Sequence, residues 1–143
     1  MVERRHARGL LDTSVVIDLE RVEPSSLPVE VAVSSVTLAE LAAGPHATQD
    51  VAERARRQER LQRVEATFEA LAFDAAAARA YGRIYAAIIR AGRKARGSRA
   101  VDLFIAAVAL SNQLPLYTLN ATDFAALADH IVVITPSLVR AQE

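Results

Sequence analysis

Residues 8–14 read Arg-Gly-Leu-Leu-Asp-Thr-Ser, a short apolar run that ends in an acid. A run of this length predicts a buried strand, and it places Asp12 at the carboxyl end of that strand. A β-branched run at residues 29–33 predicts a second strand, and residues 115–119 and 131–134 predict two more. Helical patterns separate these runs. Because strands that alternate with helices form parallel sheets covered on both faces, the sequence predicts an α/β fold.

Three of the helical patterns follow a side chain that can accept a hydrogen bond from the first turn of a helix. The predicted helices cover residues 36–43, 49–70, 75–91, 99–111 and 124–128, with Ser34 or Ser35, Asp74 and Ser98 as the N-caps. The helix over residues 49–70 has an apolar stripe on its second half. Its first half is nearly all polar and is expected to project into solvent. Residues 71–73 predict a short additional strand.

The composition indicates one domain over residues 1–143 with a substantial core, since 52% of the residues are hydrophobic and 24% are charged. The formal net charge is zero, so the binding of a polyanion requires a local basic patch. The absence of Cys excludes disulfides and thiolate zinc sites. No signal peptide is recognisable, and polar residues and a proline interrupt the uncharged stretch at 103–122. We therefore expect a cytoplasmic protein that does not enter a membrane.

Four acidic residues each begin, end or interrupt an apolar run: Asp12, Glu40, Asp102 and Asp123. A carboxylate among core residues costs free energy to desolvate, and four of them together repel one another. A hard cation removes this repulsion, and Mg²⁺ and Mn²⁺ both favour oxygen ligands. Ligands of open α/β sheets bind beyond the carboxyl ends of the strands, so acids that follow strands can meet at one edge of the sheet. The pattern therefore predicts a metal-dependent acidic site.

At these acids the chain resembles a known family, the PIN-domain ribonucleases, and within them the VapC toxins of bacterial toxin–antitoxin pairs. The matching segments are Leu-Leu-Asp-Thr-Ser at 10–14, Val-Thr-Leu-Ala-Glu-Leu at 36–41, Asp-Leu-Phe-Ile-Ala-Ala at 102–107 and Leu-Tyr-Thr-Leu-Asn-Ala-Thr-Asp-Phe at 116–124. Each segment alone is a weak signal, but four of them in this order are specific. The resemblance covers essentially the whole chain.

The resemblance implies a PIN-like three-layer α/β/α fold with a short central parallel sheet of four to five strands. It implies one or two Mg²⁺ ions, for which Mn²⁺ can substitute, and RNA as the substrate. It also implies a homodimer that a small VapB-like antitoxin inhibits. One local departure is the strand-like triplet Val-Val-Ile at residues 15–17, where the family begins a helix. We expect the helix, because buried helices tolerate β-branched residues.

By the same resemblance, the four acids match the acidic quartet of the family, with Asp12 and Asp102 expected to bind the metal directly. Glu40 and Asp123 are expected to hold metal-bound water or a second ion. The positions expected to orient carboxylates or water are Ser14, Thr118 and Asn120. Thr118 and Asn120 fall where the family often has polar site residues, and Asn120 leaves the site without a fifth acid, which argues against full occupancy of a second metal position.

A basic stretch near Asp102 contains Arg90, Arg93, Lys94 and Arg96. It is either a solvated loop or a guide for RNA phosphates. Three functional alternatives also remain open at this stage. The chain could be a PIN-like RNA-processing nuclease without an antitoxin, or a non-catalytic binding module. It could also be a phosphotransfer domain of the haloacid dehalogenase type, although that class needs a second Asp where this chain has Ser14.

Overall fold

The computed structural model describes residues 5–93 and 98–140. Within these residues five parallel strands form one sheet in the order β3-β2-β1-β4-β5. The strands are β1 (Arg8–Leu11), β2 (Glu30–Ser34), β3 (Glu69–Leu71), β4 (Leu116–Tyr117) and β5 (Val133–Ile134). The helices are α1 (Thr13–Ile17), α2 (Ser35–Ala43), α3 (Val51–Thr67), α4 (Ala75–Arg90) and α5 (Ser98–Ser111). Short 3₁₀ turns cover Leu19–Arg21, Pro24–Ser26, Gly44–Ala47 and Ala121–Leu127. The predicted α/β fold with a parallel sheet is confirmed.

Side-chain alternation along β1 divides the core into two layers. Leu10 faces a cluster that contains Ile84 of α4 and Leu103 of α5. Leu11 faces the opposite way, into a cluster with Val15 of α1 and Val64 of α3. Successive residues of a strand point to opposite faces of the sheet. Because both faces are covered, residues on both sides are buried, and the strands are apolar runs without alternation.

Most of the predicted boundaries are confirmed to within a few residues, and the exceptions have physical causes. Residues 15–17 lie in α1, because Val15 and Val16 are buried against the sheet in helical conformation. The strand predicted at residues 71–73 instead ends at Leu71, since the backbone N–H of Phe73 donates to Ser35 Oγ and leaves the ladder. The helix predicted at residues 124–128 is a 3₁₀ turn that begins earlier, at Ala121.

The parallel topology brings the starts of several helices to the carboxyl edge of the sheet. α1 and α2 begin directly after β1 and β2. Only residues 112–115 connect the end of α5 to the start of β4, so α5 runs antiparallel to the strands and its first turns lie near the same edge. The apolar stretch at 103–122 is therefore a buried helix followed by a buried strand, as predicted. Among the described helices, none is both long and apolar enough to span a membrane.

Candidate active site

Asp12 lies at the carboxyl end of β1, and only 3% of its surface is exposed. Its backbone N–H donates to the carbonyl oxygen of Tyr117 at 2.8 Å, which holds it against β4. The Oδ2 atom accepts hydrogen bonds from Ser14 Oγ at 2.9 Å and from Thr118 Oγ1 at 2.8 Å. The predicted supporting positions Ser14 and Thr118 are thus in direct contact with Asp12.

Both hydroxyls are held in place by backbone groups. The N–H of Leu119 donates to Ser14 Oγ at 3.1 Å, and the N–H of Asn120 donates to Thr118 Oγ1 at 3.0 Å. Each hydroxyl has one proton, and that proton is directed to Asp12. The carboxylate therefore has one oxygen whose position is fixed by two donors, an arrangement that sets the orientation of the whole group.

The other oxygen of Asp12, Oδ1, is buried and has no hydrogen-bond partner in the described part of the chain. A buried carboxylate oxygen without a donor costs free energy of desolvation. A cation is the ligand that compensates a bare carboxylate oxygen best, and Mg²⁺ typically needs only one or two protein carboxylates because it keeps several waters. The donor set at Asp12 therefore fits a hard divalent ion.

Glu40, on α2, is linked to β1 through Thr13, the residue that follows Asp12. Thr13 Oγ1 donates to Glu40 Oε1 at 2.6 Å. The hydroxyls of Thr13 and Thr37 are 2.9 Å apart, and Thr37 must be the donor because the single proton of Thr13 is used on Glu40. Ser34 Oγ donates to Thr37 Oγ1 at 3.4 Å. The O–H groups of Ser34, Thr37 and Thr13 all point along this chain toward Glu40.

The sequence prediction missed Thr13 and Thr37 as site residues. A signal was present, because Thr37 precedes Glu40 by three residues and therefore shares its helix face. Ser34 was predicted only as an N-cap, and this is confirmed, since its Oγ accepts from the backbone N–H of Thr37 at 3.0 Å. Both threonines are buried, so their hydroxyls need partners inside the protein.

Asp102 and Asp123 are placed near the same edge by their elements. Asp102 is half-buried and is the fifth residue of α5. Asp123 is half-buried in the 3₁₀ turn Ala121–Leu127, and its backbone N–H donates to the carbonyl oxygen of Asn120. The side chain of Asn120 is exposed and makes no capping hydrogen bond.

In residues 5–93 and 98–140, no group of three or more His, Asp or Glu side chains is arranged to hold a metal. The hydrogen bonds form two groups, one of Asp12 with Ser14 and Thr118, and one of Glu40 with Thr13 and Thr37. The peptide bond between Asp12 and Thr13 joins the two groups. The direct pairing of Asp12 and Asp102 on one metal remains a prediction.

The basic stretch is only partly within the described residues. Arg90 ends α4 and is exposed, and Arg93 is exposed beyond it. Lys94 and Arg96 lie outside the described residues. The prediction that this stretch guides RNA phosphates is untested.

The first half of α3 is largely exposed, as predicted, but it also contacts the turn after α2. Arg57 donates to the carbonyl oxygen of Gly44 at 2.8 Å, and Arg54 donates to that of Pro45 at 3.1 Å. These bonds hold α3 to the turn after α2. The guanidinium of Arg56, and then that of Arg57, keeps the pKa of Glu53 below its ordinary value. Glu53 therefore stays ionised and paired at neutral pH.

Two cavities open beside this helix. The larger, about 510 Å³, lies between α1 and α3, and its apolar wall includes Val16, Val64 and Phe68. The smaller, about 310 Å³, is lined by Thr13 and Glu40 of the acidic site and by side chains of α3.

Comparisons with known proteins agree with the resemblance read from the sequence. A family model described as PIN domain matches residues 9–130. The chain is 42% identical over 124 residues to Ribonuclease VapC5 of Mycobacterium tuberculosis, covering 85% of this chain and 88% of the relative. A crystal structure of VapBC-5, a member of the VapBC toxin–antitoxin family from the same organism, shares 40% identity with a TM-score of 0.77, covering 90% of this chain and 97% of that one. FitAcB from Neisseria gonorrhoeae matches at 29% identity with a TM-score of 0.71, covering 88% and 96%.

Proposed function

The chain belongs to the PIN-domain family, and on that premise we propose that it is a metal-dependent ribonuclease toxin of the VapC type, neutralised by a VapB-like antitoxin. The observation that carries the metal requirement is the bare Oδ1 of Asp12, buried at the carboxyl edge of the sheet while Oδ2 is held by two hydroxyls. A buried carboxylate oxygen without a hydrogen-bond donor is available to bind a cation.

Each site residue would have its own role in phosphodiester cleavage. Asp12 and Asp102 would hold Mg²⁺, or Mn²⁺ in its place, which when bound supplies a water of lowered pKa and positive charge for the phosphate oxygens. Ser14 and Thr118 fix the rotation of the Asp12 carboxylate. Glu40, oriented by Thr13, and Asp123 would accept hydrogen bonds from water and so direct its attack. Asn120, exposed beside Asp123, is available to contact the RNA.

The larger cavity supports the proposed antitoxin. Its apolar wall between α1 and α3 suits the apolar face of an amphipathic helix. The sequence predicts such a groove between the helix at residues 36–43 and the apolar stripe of Leu61, Val64 and Phe68. In the structure the wall opposite this stripe is instead α1 and the turn that follows. The homodimer implied by the resemblance and the single domain over residues 1–143 stay predictions.

Cleavage of RNA in the presence and absence of metal tests the proposal. We expect cleavage with Mg²⁺ or Mn²⁺, loss of cleavage with EDTA, and inhibition by the small protein encoded beside the toxin. RNA that is bound but never cleaved would favour the non-catalytic module. Metal-dependent cleavage that no neighbouring protein inhibits would favour an RNA-processing nuclease. The phosphotransfer alternative is disfavoured, because Ser14 serves as a hydrogen-bond donor to Asp12.

Replacing Thr13 with Val should lower the cleavage rate by about 10- to 100-fold, the usual effect of losing a group that orients a metal-site side chain. Val keeps the shape of Thr but cannot donate to Glu40. Thr13→Ser retains the hydroxyl and should recover most of the rate. The measurement is the rate at saturating RNA, together with the melting temperature of each variant.

Thr37→Val is the matched control, since it removes a buried hydroxyl from the same chain but leaves the Thr13–Glu40 hydrogen bond in place. It should destabilise the protein to a similar degree and reduce cleavage less. Equal rates for Thr13→Val and the unmodified protein would show that Thr13 has no role in positioning Glu40.

A further inference from the structure

Arg60 differs from the other arginines of α3. The other four have partners: Arg54 donates to Pro45 and Thr48, Arg56 and Arg57 to Glu53, and Arg63 to Glu20. The guanidinium of Arg60 has no hydrogen bond or ion pair with any described residue. The side chain is nevertheless half-buried. A guanidinium without a protein partner at the wall of a cavity keeps its donors available for an anionic ligand.

Its location connects the acidic site to the larger groove. Arg60 lines both cavities, and in the smaller one it shares the wall with Thr13 and Glu40. Arg60 therefore lies at the junction between the groove and the acidic site.

Among the described arginines that line the two cavities, Arg60 is the one without an acidic partner. Arg56 and Arg57 bracket Glu53, and Arg63 lies 3.3 Å from Glu20 and 3.5 Å from Glu59. Glu40 belongs to the acidic site, where in the proposed function the metal ion that Asp12 and Asp102 would hold offsets the negative charge of the site. The positive charge that remains for an outside anion is that of Arg60.

We propose that Arg60 is the binding group of an anion subsite next to Glu40, and that its ligand is a phosphate of the RNA strand being cleaved. This inference rests on the proposed ribonuclease function. A guanidinium presents a planar fork of donors that matches a phosphate. The protein has zero net charge, so a polyanion depends on such local positive groups.

The test is binding of a random-sequence single-stranded RNA pool at several salt concentrations, with Asp12→Asn in every variant to prevent cleavage. Arg60→Gln should weaken binding about tenfold or more, as expected for losing a charged hydrogen bond. It should also lower the log–log salt slope by about 0.7, the contribution of one phosphate contact on a single strand. The melting temperature should not fall, because Arg60 has no partner in the protein to lose.

Arg79→Gln is the control for net charge, since Arg79 is exposed on α4, which packs on the opposite face of the sheet. It should leave both the affinity and the slope nearly unchanged. An Arg60→Gln variant that behaves like Arg79→Gln overturns the subsite. So does an Arg60→Gln variant that binds RNA normally but loses the antitoxin, because the ligand would then be a protein carboxylate.

The cleavage assay with the unmodified catalytic residues separates this inference from the proposed function. If the unmodified protein cleaves RNA with Mg²⁺ while Arg60→Gln has no effect on binding, the subsite is wrong and the ribonuclease stands. If the unmodified protein neither binds nor cleaves the pool, both are wrong.

Discussion

Asp12→Asn should reduce RNA cleavage by roughly a thousandfold while the protein keeps its fold. Metal catalysis contributes several kcal/mol of transition-state stabilisation, and each 1.36 kcal/mol is about tenfold in rate. The substitution preserves the size of the side chain, and its amide oxygen can still accept from Ser14 and Thr118. What it removes is the charge and the bare oxygen that would bind the metal. The measurement is the initial rate of RNA cleavage at a fixed Mg²⁺ concentration.

Asp129→Asn is the appropriate control, because Asp129 is exposed and lies outside the acidic site. It removes one negative charge without touching β1 and should cleave at the rate of the unmodified protein. Retention of more than about a hundredth of the activity in Asp12→Asn would remove Asp12 from direct metal binding, since losses of about 10- to 100-fold are typical of groups that act through another ligand.

Phe124→Ala should lower the free energy of unfolding by about 3–5 kcal/mol. Phe124 is only 1% exposed and belongs to the core cluster that α4 and α5 form on one face of the sheet. It is also the anchor of the 3₁₀ turn that carries Asp123. Because domains of this size are typically stable by only about 5–15 kcal/mol, the variant should unfold at much lower urea concentrations, which is the measurement.

Two further variants make this prediction specific. Ile89→Ala removes a similar apolar side chain that is 50% exposed, and it should change stability by about 0.5 kcal/mol or less. Phe124→Leu keeps most of the volume and should fold well enough for the cleavage assay. A loss of stability in Phe124→Ala no larger than that in Ile89→Ala would mean that the 3₁₀ turn is not anchored by this ring.

The order of elements could be predicted from the sequence because its signals are local. Asp74 caps α4 by accepting a hydrogen bond from the backbone N–H of Ala77, only three residues away, and Gly-Pro at 44–45 ends α2 where it was expected to. The carboxyl-edge position of Asp12 followed from the strand before it. The resemblance corrected the one ambiguous segment, at residues 15–17, where β-branched composition alone favoured a strand.

The details of the site could not be predicted because they depend on contacts distant in the sequence. The donors to Asp12 include Thr118, separated from it by 106 positions, and no local pattern reports that one carboxylate oxygen stays bare. The unpaired state of Arg60 is the exception, because helical spacing alone pairs Arg56 with Glu53 and Arg63 with Glu59 and leaves Arg60 without an acid three or four residues away. Its position at the wall of both cavities depends on the tertiary fold and has no local signal.

Metal binding by the Asp12 carboxylate is tested most directly by thermal melting at increasing concentrations of Mg²⁺ or Mn²⁺. A ligand that binds only the folded state stabilises it by about 2.7 kcal/mol at a hundredfold excess over its Kd. The melting temperature of the unmodified protein should therefore rise by several degrees with added metal. That of Asp12→Asn should stay constant, and that of Asp129→Asn should rise like the unmodified protein. An equal rise in all three proteins would contradict the claim, because the metal would then bind somewhere other than Asp12.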